Sequence, residues 1–425
     1  MIDPCPQGYY AASAGAVPLR RPLSGRQKAD ICIVGAGYTG LAAALEAATA
    51  GARVIVLEAQ SVGFGASGRN GGQIHTGWRK SQQELETWLG AVHARDLWGL
   101  SEEAKAQVSA LIIRHAIACD PKSGLVTAAH DASAARGLAS EAEHLARVYG
   151  YNNLRLLNRP ETAGEIGSTI YRGACLDSGG GHLHPLLYAR GLATAAESAG
   201  AQIFERSAVS RMDEQAAGVA VTAADGSVAA DRIVLATDAF SGAVAAGLDR
   251  YIGHVESFIM ATAPIPVDIS PVILPNDPAV ADTRHVLDYY RKSAAGRLLF
   301  AGREAYFGVP KDIAALVRPR LLRVFPQLRD VPIEYAWSGT VGITLTRMPH
   351  FGKLSDRIFF GHGYSGQGVA LATLGGKLIA EAAMGHEERF NVLARVPARP
   401  FPGGPQLRRP LIAAGLFAYK LADAL

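Results

Sequence analysis

The first strong pattern lies between residues 29 and 59, where two short apolar runs flank an alanine-rich segment. The run ADICIVGAG predicts a buried strand that ends in glycine, and ARVIVLEA predicts a second strand rich in β-branched residues. The segment between them, YTGLAAALEAATAG, predicts a helix that ends at Gly51. Together these segments predict a βαβ unit of about thirty residues with a right-handed crossover.

The rest of the chain divides into segments of different pattern. These are an irregular arm at 1–28, a loop rich in glycine and serine at 61–78, helical segments at 81–119 and 131–149, an α/β pattern at 182–240, short strands with proline-rich turns at 250–335, and a return to the α/β style at 337–385. This order predicts an α/β protein, α+β overall, with a Rossmann-like domain and a separate β-rich region.

The turn of the βαβ unit has the spacing GxGxxG, formed by Gly35, Gly37 and Gly40. The first glycine allows the tight turn, the second lets a pyrophosphate approach the backbone, and the third lets helix pack on strand. Glu58 ends the second strand, where its carboxylate accepts both ribose hydroxyls and repels a 2′-phosphate. The unit therefore predicts FAD or NAD rather than NADP. The predicted contacts here are Gly35, Gly37, Tyr38, Thr39, Gly40, Glu58 and Ala59.

The polar loop after the ribose-binding strand favours FAD over NAD. An NAD-binding domain normally continues directly into further βα units, whereas the stretch GASGRNGGQ suits the far end of a longer dinucleotide. Ser67 is a candidate phosphate donor, and Arg69 and Asn70 are candidates for the isoalloxazine side. The predicted contacts of this loop are Gly65, Ala66, Ser67, Arg69, Asn70, Gly71, Gly72 and Gln73.

A second glycine-rich turn, GYSGQG, leads into a helix near the C-terminus. No second strand with a terminal acid follows it, so it is not another dinucleotide unit. A helix N-terminus attracts negative charge, and reduced flavin carries negative charge over N1 and C2=O. We therefore predict that this helix faces the pyrimidine edge of the flavin, with Tyr364 or Gln367 facing substrate or flavin. A helix capped by Ser365 is the alternative. The candidates are Gly363, Tyr364, Ser365, Gly366, Gln367 and Gly368.

Taken together, these stretches resemble the FAD-dependent D-amino-acid oxidase superfamily, as do GGGHLHPLLYARGLA and IVLATDAF. Within it, GYYAAS near the start, TLTRMPHFG at 344–352 and FPGGPQLRRPL near the end resemble the γ-glutamylputrescine oxidoreductase-like branch. The resemblance covers nearly the whole chain and keeps the order of the motifs. Residues 246–336 match least well.

The resemblance implies a discontinuous FAD-binding domain of the glutathione-reductase type, with an inserted substrate domain whose mixed β-sheet covers the flavin. The expected division is an N-terminal arm at 1–28, the FAD-binding domain at 29–86, 147–245 and 337–395, the substrate domain at 87–146 and 246–336, and a C-terminal tail and helix at 396–425. It further implies an adenine contact at Val209 and a turn over the cofactor at Ala236 and Thr237. Asp238 stands where the family has glycine, which puts the conformation of that turn in doubt.

The substrate is predicted from an absent arginine. Many α-amino-acid oxidases of the superfamily clamp the substrate carboxylate with an arginine in a pattern like G-L-R-P-x-T-P-D-x-x-P-x-I-G. The matching stretch here, GTVGITLTRMPHFG, has Val341 at that position and Thr346 at the aspartate position. We therefore predict an amine whose reacting carbon bears no α-carboxylate, such as a γ-glutamylated or other N-substituted amine. Arg291 is a candidate contact for a distal carboxylate, with Tyr289 and Tyr290 on the same wall.

The implied reaction is hydride transfer from the carbon beside the amine nitrogen to flavin N5. The imine product hydrolyses to an aldehyde, and O2 or another electron acceptor reoxidises the flavin, giving H2O2 when O2 is used. Some relatives attach the flavin to a histidine, whose place here is taken by Asn70, so we predict non-covalent FAD. Tyr364, Gln367 and Arg291 are the candidate catalytic residues.

The composition of the chain limits the kinds of partner that it is expected to bind. The net charge of +4 is small and scattered, which argues against nucleic acid. The four cysteines form no CxxC pair, and the spacing of the histidines suggests no metal site, so none is predicted. Neither a signal peptide nor an apolar run long enough for a membrane is evident, which predicts a cytoplasmic protein. The C-terminal LIAAGLFAYKLADAL is amphipathic and is expected to dock on the protein's own body. The sequence does not indicate an oligomeric state.

Three other interpretations stay open. A D-amino-acid or glycine oxidase or dehydrogenase would share the flavin motifs, but Val341 argues against it. A flavin-binding protein without turnover is favoured only by departures such as ATDAF. An NAD-dependent dehydrogenase would need a nicotinamide-domain pattern, which the chain lacks.

Overall fold

The computed structural model describes residues 8–17, 19–245, 247–305 and 308–403. Its strands, in chain order, are β1 (Gly25–Val34), β2 (Val54–Leu57), β3 (Gln73–Ile74), β4 (Lys122–Ala129), β5 (Leu154–Leu157), β6 (Gly173–His182), β7 (Gln202–Phe204), β8 (Val209–Gln215), β9 (Gly218–Ala223), β10 (Gly226–Leu235), β11 (Gly253–Pro264), β12 (Ala279–Asp282), β13 (Tyr289–Lys292), β14 (Arg297–Ala305), β15 (Ile333–Ile343), β16 (His350–Ser355) and β17 (Ile358–His362).

The helices are α1 (Tyr9–Ser13), α2 (Tyr38–Thr49), α3 (Gln82–Leu89), α4 (Ala91–Arg114), α5 (Ala132–Tyr149), α6 (Arg159–Ile166), α7 (Pro185–Ser198), α8 (Ile313–Val324), α9 (Gly368–Ala383) and α10 (Glu388–Ala394). The predicted helical segment 81–119 is two helices, because Gly90 adopts φ 85° between α3 and α4. Among the described residues, no helix is both long and apolar enough to cross a membrane.

The first sheet contains the predicted βαβ unit. Its strand order is β16-β17-β10-β1-β2-β7, with β9 added beside β10 and β8 beside β9. Strand β1 pairs in parallel with both β10 and β2, which confirms the Rossmann-like prediction. It begins earlier than predicted, at Gly25, because Gly25–Ala29 pairs with the start of β10. The arm is therefore less irregular than expected, and it also contains the short helix α1.

Helices α2 and α9 pack against each other on this first sheet. A methyl group at Gly376 of α9 would lie 2.1 Å from the carbonyl oxygen of Thr39, so glycine is required for the two backbones to approach. Both helices are buried along most of their length, as their alanine-rich sequences predict. The start of α2 is thereby packed against the middle of α9.

The second sheet has the order β15-β11-β14-β13-β12-β4-β6-β3, with β5 paired to β6. It is mixed, because β12 and β4 are parallel while the other neighbours are antiparallel. The β-rich prediction for residues 250–335 is confirmed. The sheet also recruits β3, β5 and β6 from outside that region, and β15 continues to Ile343. One face packs on α8 around Phe258, Tyr290 and Phe300.

The opposite face of the second sheet meets α1 and α7 of the chain's N-terminal half. Tyr9 and Tyr10 from α1, Leu186 from α7, and Ile259 and Trp337 from the sheet form one buried cluster. The sheet is therefore fastened beside the glycine-rich loop that follows β2. This contact positions the candidate site.

Candidate functional site

The first glycine turn leaves no room for side chains at two of its three glycines. Gly35 has φ 105°, and a methyl group there would lie 2.6 Å from the carbonyl oxygen of Ala236. A methyl group at Gly40 would lie 1.9 Å from the carbonyl oxygen of Gly35. The turn is therefore compressed between β10 and the first turn of α2, as expected for a close helix–strand contact. Ala236, at the end of β10, therefore lies directly against this turn.

Ser67 closes the front of the same turn. Its hydroxyl oxygen accepts a hydrogen bond of 3.0 Å from the backbone N–H of Tyr38, the first residue of α2. A methyl group at Gly37 would lie 2.9 Å from that oxygen. The start of α2 has no other side-chain cap, since the N-cap residue is Gly37 itself. The N–H groups at this helix end therefore face Ser67 and have the polarity that binds a phosphate.

Glu58 lies directly beside the first turn. Its Oε2 accepts from the N–H of Ala36 at 2.8 Å, and its Oε1 accepts from the N–H of Gln60 at 2.9 Å. Burial raises the pKa of this carboxyl group, while both N–H donors favour its ionised form. Each oxygen keeps a further acceptor position, so the carboxylate is able to bind hydroxyl groups.

Val209 and Ala59 lie near Glu58, because Ser207 N–H donates to the carbonyl oxygen of Glu58 at 2.7 Å. Sequence reasoning missed Glu205, which is buried between these segments. Its Oε1 accepts from the N–H of Val62 at 2.8 Å. No local motif marks Glu205, so only the folded chain reveals its role.

Asn70 and Arg69 hold the glycine-rich loop together from within. The amide nitrogen of Asn70 donates to the carbonyl oxygen of Ala66 at 2.9 Å, and its Oδ1 accepts from the N–H of Gly72 at 2.7 Å. Arg69 Nε donates to the carbonyl oxygen of Phe64 at 2.7 Å. These hydrogen bonds hold the backbone of the loop, which runs from Gly65 to Gln73 at the start of β3.

The second sheet covers this loop. Trp337 of β15 donates its indole N–H to the carbonyl oxygen of Arg69 at 3.0 Å. A methyl group at Gly72 would lie 2.0 Å from the carbonyl oxygen of Leu183. The loop therefore lies between the covering sheet and the start of α7.

Arg291 approaches the loop from the sheet side and is only 3% exposed. Its Nε donates to the carbonyl oxygen of Gly71 at 2.7 Å, and another guanidinium nitrogen donates to the hydroxyl of Tyr10 at 3.2 Å. The structure therefore places the guanidinium group of Arg291 between the backbone of the loop and the side chain of Tyr10.

Tyr289 and Tyr290 do not share a wall, contrary to the sequence-based expectation. The ring of Tyr289 is the nearest neighbour of Gly71, where an added methyl group would lie 2.8 Å from a ring carbon. Tyr290 points to the other side, where its hydroxyl donates to Tyr171 at 3.1 Å. The physical reason is that successive side chains of a strand point to opposite faces.

The second glycine turn connects β17 to α9 and contains three residues with positive φ, namely Gly363, Ser365 and Gly366. The alternative in which Ser365 caps the helix is wrong. The N-cap residue is Gln367, which makes no side-chain cap, and the Ser365 hydroxyl instead accepts from the N–H of Thr344 at 3.3 Å. The first N–H groups of α9, starting at Gly368, are therefore not capped by a side chain.

Tyr364 and Gln367 take different positions. Tyr364 is 7% exposed, and its hydroxyl lies 2.8 Å from the hydroxyl of Thr39 in α2, so it ties the two helices together. Burial raises the pKa of the Tyr364 hydroxyl, which keeps it protonated. Among the described residues, Gln367 Oε1 is a buried acceptor without a donor. Such an atom is usually satisfied by a bound molecule or water.

Asp238 adopts φ 45°, a left-handed conformation that glycine adopts without cost. Asp238 therefore occupies a backbone conformation that a glycine at this position would adopt freely. Thr237 beside it places its hydroxyl 3.1 Å from that of Ser241. The turn follows β10 directly and lies between the two glycine turns.

These features fit FAD. The compressed first turn, the carboxylate at the end of β2 and the uncapped start of α9 supply sites for pyrophosphate, ribose and an electron-rich ring edge. The unsatisfied Gln367 Oε1 supplies an acceptor at the third of these sites.

Comparison with known proteins agrees with this geometry. The family model described as "FAD dependent oxidoreductase" matches residues 30–382. Gamma-glutamylputrescine oxidoreductase of Escherichia coli is 40% identical over 420 residues, which cover 98% of each chain. A probable oxidoreductase OrdL of Haemophilus influenzae is 39% identical over 421 residues, covering 98% of this chain and 97% of the relative.

Solved structures show the same fold. Glycine oxidase from Geobacillus kaustophilus superposes with a TM-score of 0.73 at 22% identity, covering 84% of this chain and 95% of that one. L-proline dehydrogenase from P. horikoshii superposes with a TM-score of 0.71 at 18% identity, covering 84% and 93%.

Proposed function

The chain belongs to the family of FAD-dependent oxidoreductases, and from that premise we propose that it oxidises the C–N bond of a primary or secondary amine. The substrate class that we favour is a γ-glutamylated amine such as γ-glutamylputrescine, or another N-substituted amine. The observation that carries this choice is Val341. It stands in the strand that joins the covering sheet to the second glycine turn.

The position of Val341 follows from two pairings of β15. Val341 is paired with Val255 of β11, and Ile343, two residues further on, is bridged to Tyr364 of the second turn. Residues two apart in a strand point to the same face, so Val341 lies on the face of β15 that carries Ile343. Where the α-amino-acid oxidases have a carboxylate-binding arginine, this chain therefore presents an apolar side chain. An α-carboxylate bound there would lose its hydration without gaining a charged or hydrogen-bonding partner, which is unfavourable.

We propose the following cofactor contacts. The turn from Gly35 to Gly40 and the start of α2 bind the pyrophosphate, and Glu58 binds the ribose hydroxyls. Val209 contacts the adenine through its backbone, and Ser67 contacts a phosphate. The rest of the loop 65–73 lies toward the isoalloxazine side, Ala236 and Thr237 form a turn over the cofactor, and 363–368 faces the flavin.

The domain division is proposed with two changes. Strands β5 and β6 are paired with the covering sheet, and β15 crosses the boundary drawn at residue 337. Strand β3 pairs with β6 as well, so we assign β3, β5, β6 and β15 to the substrate domain. Helix α4 packs on α9, so we assign it to the FAD-binding domain and keep the other predicted boundaries. The segment FPGGPQLRRPL and the C-terminal helix lie largely outside the described residues, which end at 403.

FAD, when bound, supplies a two-electron acceptor for the hydride of the substrate. The protein's own part is to bind the neutral amine, orient its C–H bond and exclude water. The start of α9, which has no side-chain cap, would offer partial positive charge to the edge of a bound flavin where negative charge develops. Gln367 is the candidate to contact flavin or substrate at this position. The resulting imine hydrolyses to an aldehyde, and O2 or another acceptor takes up the electrons.

We propose that FAD is bound without a covalent link. Asn70 stands where some relatives have the histidine that bonds the flavin, and a carboxamide does not form that bond. Its amide group is already engaged with Ala66 and Gly72 inside the loop. A cytoplasmic location is proposed because Cys32, Cys119 and Cys175 are buried free thiols.

Anaerobic reduction of the bound flavin tests this function. The purified protein is mixed with γ-glutamylputrescine, putrescine, glycine and D-alanine in separate cuvettes, and loss of the flavin absorbance is followed. We expect rapid bleaching by the γ-glutamylated amine and at least about tenfold slower bleaching by the two amino acids. Dithionite serves as the control that gives full reduction.

Each other outcome has a defined meaning. Faster bleaching by glycine or D-alanine would overturn the amine assignment in favour of an amino-acid oxidase. Bleaching by dithionite alone would favour a flavin-binding protein without turnover. A preparation without a flavin spectrum that also fails to bind added FAD would contradict the cofactor assignment itself.

A further inference from the structure

Asp238 occupies a backbone conformation that costs a non-glycine residue free energy. Its φ of 45° lies in the left-handed region, where a Cβ atom is crowded by the backbone. Aspartate tolerates this region better than most residues because its short carboxylate bonds to nearby N–H groups. Contacts of the aspartate side chain must therefore offset the free-energy cost of this backbone conformation.

The gain is a pair of hydrogen bonds to two other parts of the chain. Oδ1 of Asp238 accepts from the N–H of Gly363 at 2.7 Å, and Oδ2 accepts from the N–H of Gly342 at 3.3 Å. Gly363 begins the second glycine turn, and Gly342 lies near the end of β15. One carboxylate therefore connects the turn after β10, the covering sheet and the turn before α9.

Gly342 and Asp238 are matched in shape. A methyl group at Gly342 would lie 2.9 Å from both carboxylate oxygens, so glycine at 342 lets the carboxylate keep this position without moving. The same junction is reinforced by the N–H of Ser365, which donates to the carbonyl oxygen of Gly342 at 3.1 Å. The carboxylate is thus built into the junction and is not a surface group that happens to point inward.

The charge of Asp238 is met by backbone N–H groups alone. Among the described residues, it forms no salt bridge with a lysine, arginine or histidine. Burial raises the pKa of this carboxyl group, while the backbone N–H groups of Gly363, Ala239 and Gly342 favour its ionised form. The nearby hydroxyl of Tyr364 stays neutral, because burial and the charge of Asp238 raise its pKa.

We infer that Asp238 is a positioning residue that fixes the second glycine turn to the covering sheet and, through its negative charge, lowers the reduction potential of the flavin. This inference rests on the proposed function, in which the turn at 363–368 faces the flavin. Reduction adds negative charge to the flavin, and a fixed anion at the same turn disfavours it. The start of α9 acts in the opposite sense. The potential is set by the balance of the two.

The test compares the two-electron midpoint potential of bound FAD in three proteins at pH 8, by equilibration with a reference dye. D238N keeps the size and the left-handed conformation but removes the charge. D268N removes a carboxylate of the same type from an exposed turn and serves as the matched control. We expect D238N to bind reduced FAD, relative to oxidised FAD, about tenfold more tightly than the wild type, a rise of about 30 mV. D268N should remain at the wild-type value.

D238G supplies a second measurement, because glycine adopts this conformation freely and needs no side-chain partner. We expect D238G to show the same rise in potential together with weaker binding of oxidised FAD, since the turn loses both of its tethers. If D238N does not fold, D238G alone decides the matter. A purely structural role would lower the unfolding temperature of both variants without changing the potential, and that result would overturn the inference.

Failure of this inference is distinguishable from failure of the proposed function. The potential is measured without substrate, so it is informative even when no amine reduces the flavin. A wild-type protein that binds no FAD would refute the proposed function before any variant is compared. A wild-type potential retained in D238N and D238G would refute the inference and leave the function standing.

Discussion

Replacing Gly40 with alanine is the sharpest test of the first glycine turn. The added methyl carbon would lie 1.9 Å from the carbonyl oxygen of Gly35 and 3.3 Å from the Cβ of Ala236. The first neighbour is a backbone atom in a turn that is already compressed against β10. It cannot rotate away, as a flexible side chain would.

The cost follows from this overlap. An acceptable contact requires the Gly35 carbonyl or the start of α2 to move by about 1 Å, and overpacking of this kind costs about 2–3 kcal/mol. The displaced atoms are the ones proposed to receive the pyrophosphate, so the penalty falls on the FAD complex. We expect the Kd for FAD to rise by about 30-fold to 150-fold.

The assay is titration of apoprotein with FAD, followed by flavin fluorescence. The matched control is Gly137→Ala in α5, where an added methyl group would have no neighbour within 4 Å. This control should leave FAD binding unchanged and increase the free energy of unfolding by up to about 1 kcal/mol, because alanine is the better helix former. If G40A binds FAD within about threefold of G137A, the argument about the turn is wrong.

The remaining predictions concern the ribose site, the substrate side of the covering sheet and the buried histidines. Glu58→Gln replaces one acceptor of a backbone N–H with a donor, so FAD binding measured by the same titration should weaken about tenfold, and an unchanged Kd would exclude the carboxylate from the site. Val341→Arg should lower kcat/KM for γ-glutamylputrescine by at least about tenfold, because the longer side chain would fill space on the face of β15 that is proposed to meet the substrate, whereas unchanged steady-state kinetics would place Val341 away from the substrate. Burial lowers the pKa of His182 and His362 to about 3 and of His184 to about 4, so the unfolded chain takes up protons first as the pH falls below about 6.5. The free energy of unfolding should therefore fall by about 1 kcal/mol per histidine between about pH 6.5 and 5.5, and urea denaturation that is equal at the two pH values would contradict these shifts.

Local sequence patterns were enough to predict several elements of the fold. The apolar runs around the first turn predicted a βαβ unit, and the structure contains it as β1, α2 and β2. The strand, glycine turn and helix at the C-terminal end were likewise predicted from a continuous stretch and are present as β17 and α9. These features depend on the spacing of neighbouring residues, which is visible in the sequence itself.

Pairing between distant strands was less predictable. The covering sheet takes β3, β5 and β6 from segments that the sequence had associated with the first sheet. The alternation of apolar residues in these strands indicates that each strand has a buried face. It does not indicate which strand pairs with it. For the same reason, alternation within a strand separates Tyr289 from Tyr290, although they are adjacent in the sequence.

The glycines of both turns and the acid at the end of the second strand have a local cause, so the order of residues was enough to predict them. The contacts that their side chains make depend on how distant segments pack. Hydrogen bonds join Tyr364 to Thr39, Arg291 to Gly71, and Asp238 to Gly363. The partners are separated along the chain by 325, 220 and 125 positions, respectively. The physical reason is that a turn is specified by the φ angles of neighbouring residues, whereas such a contact exists only after two sheets have packed.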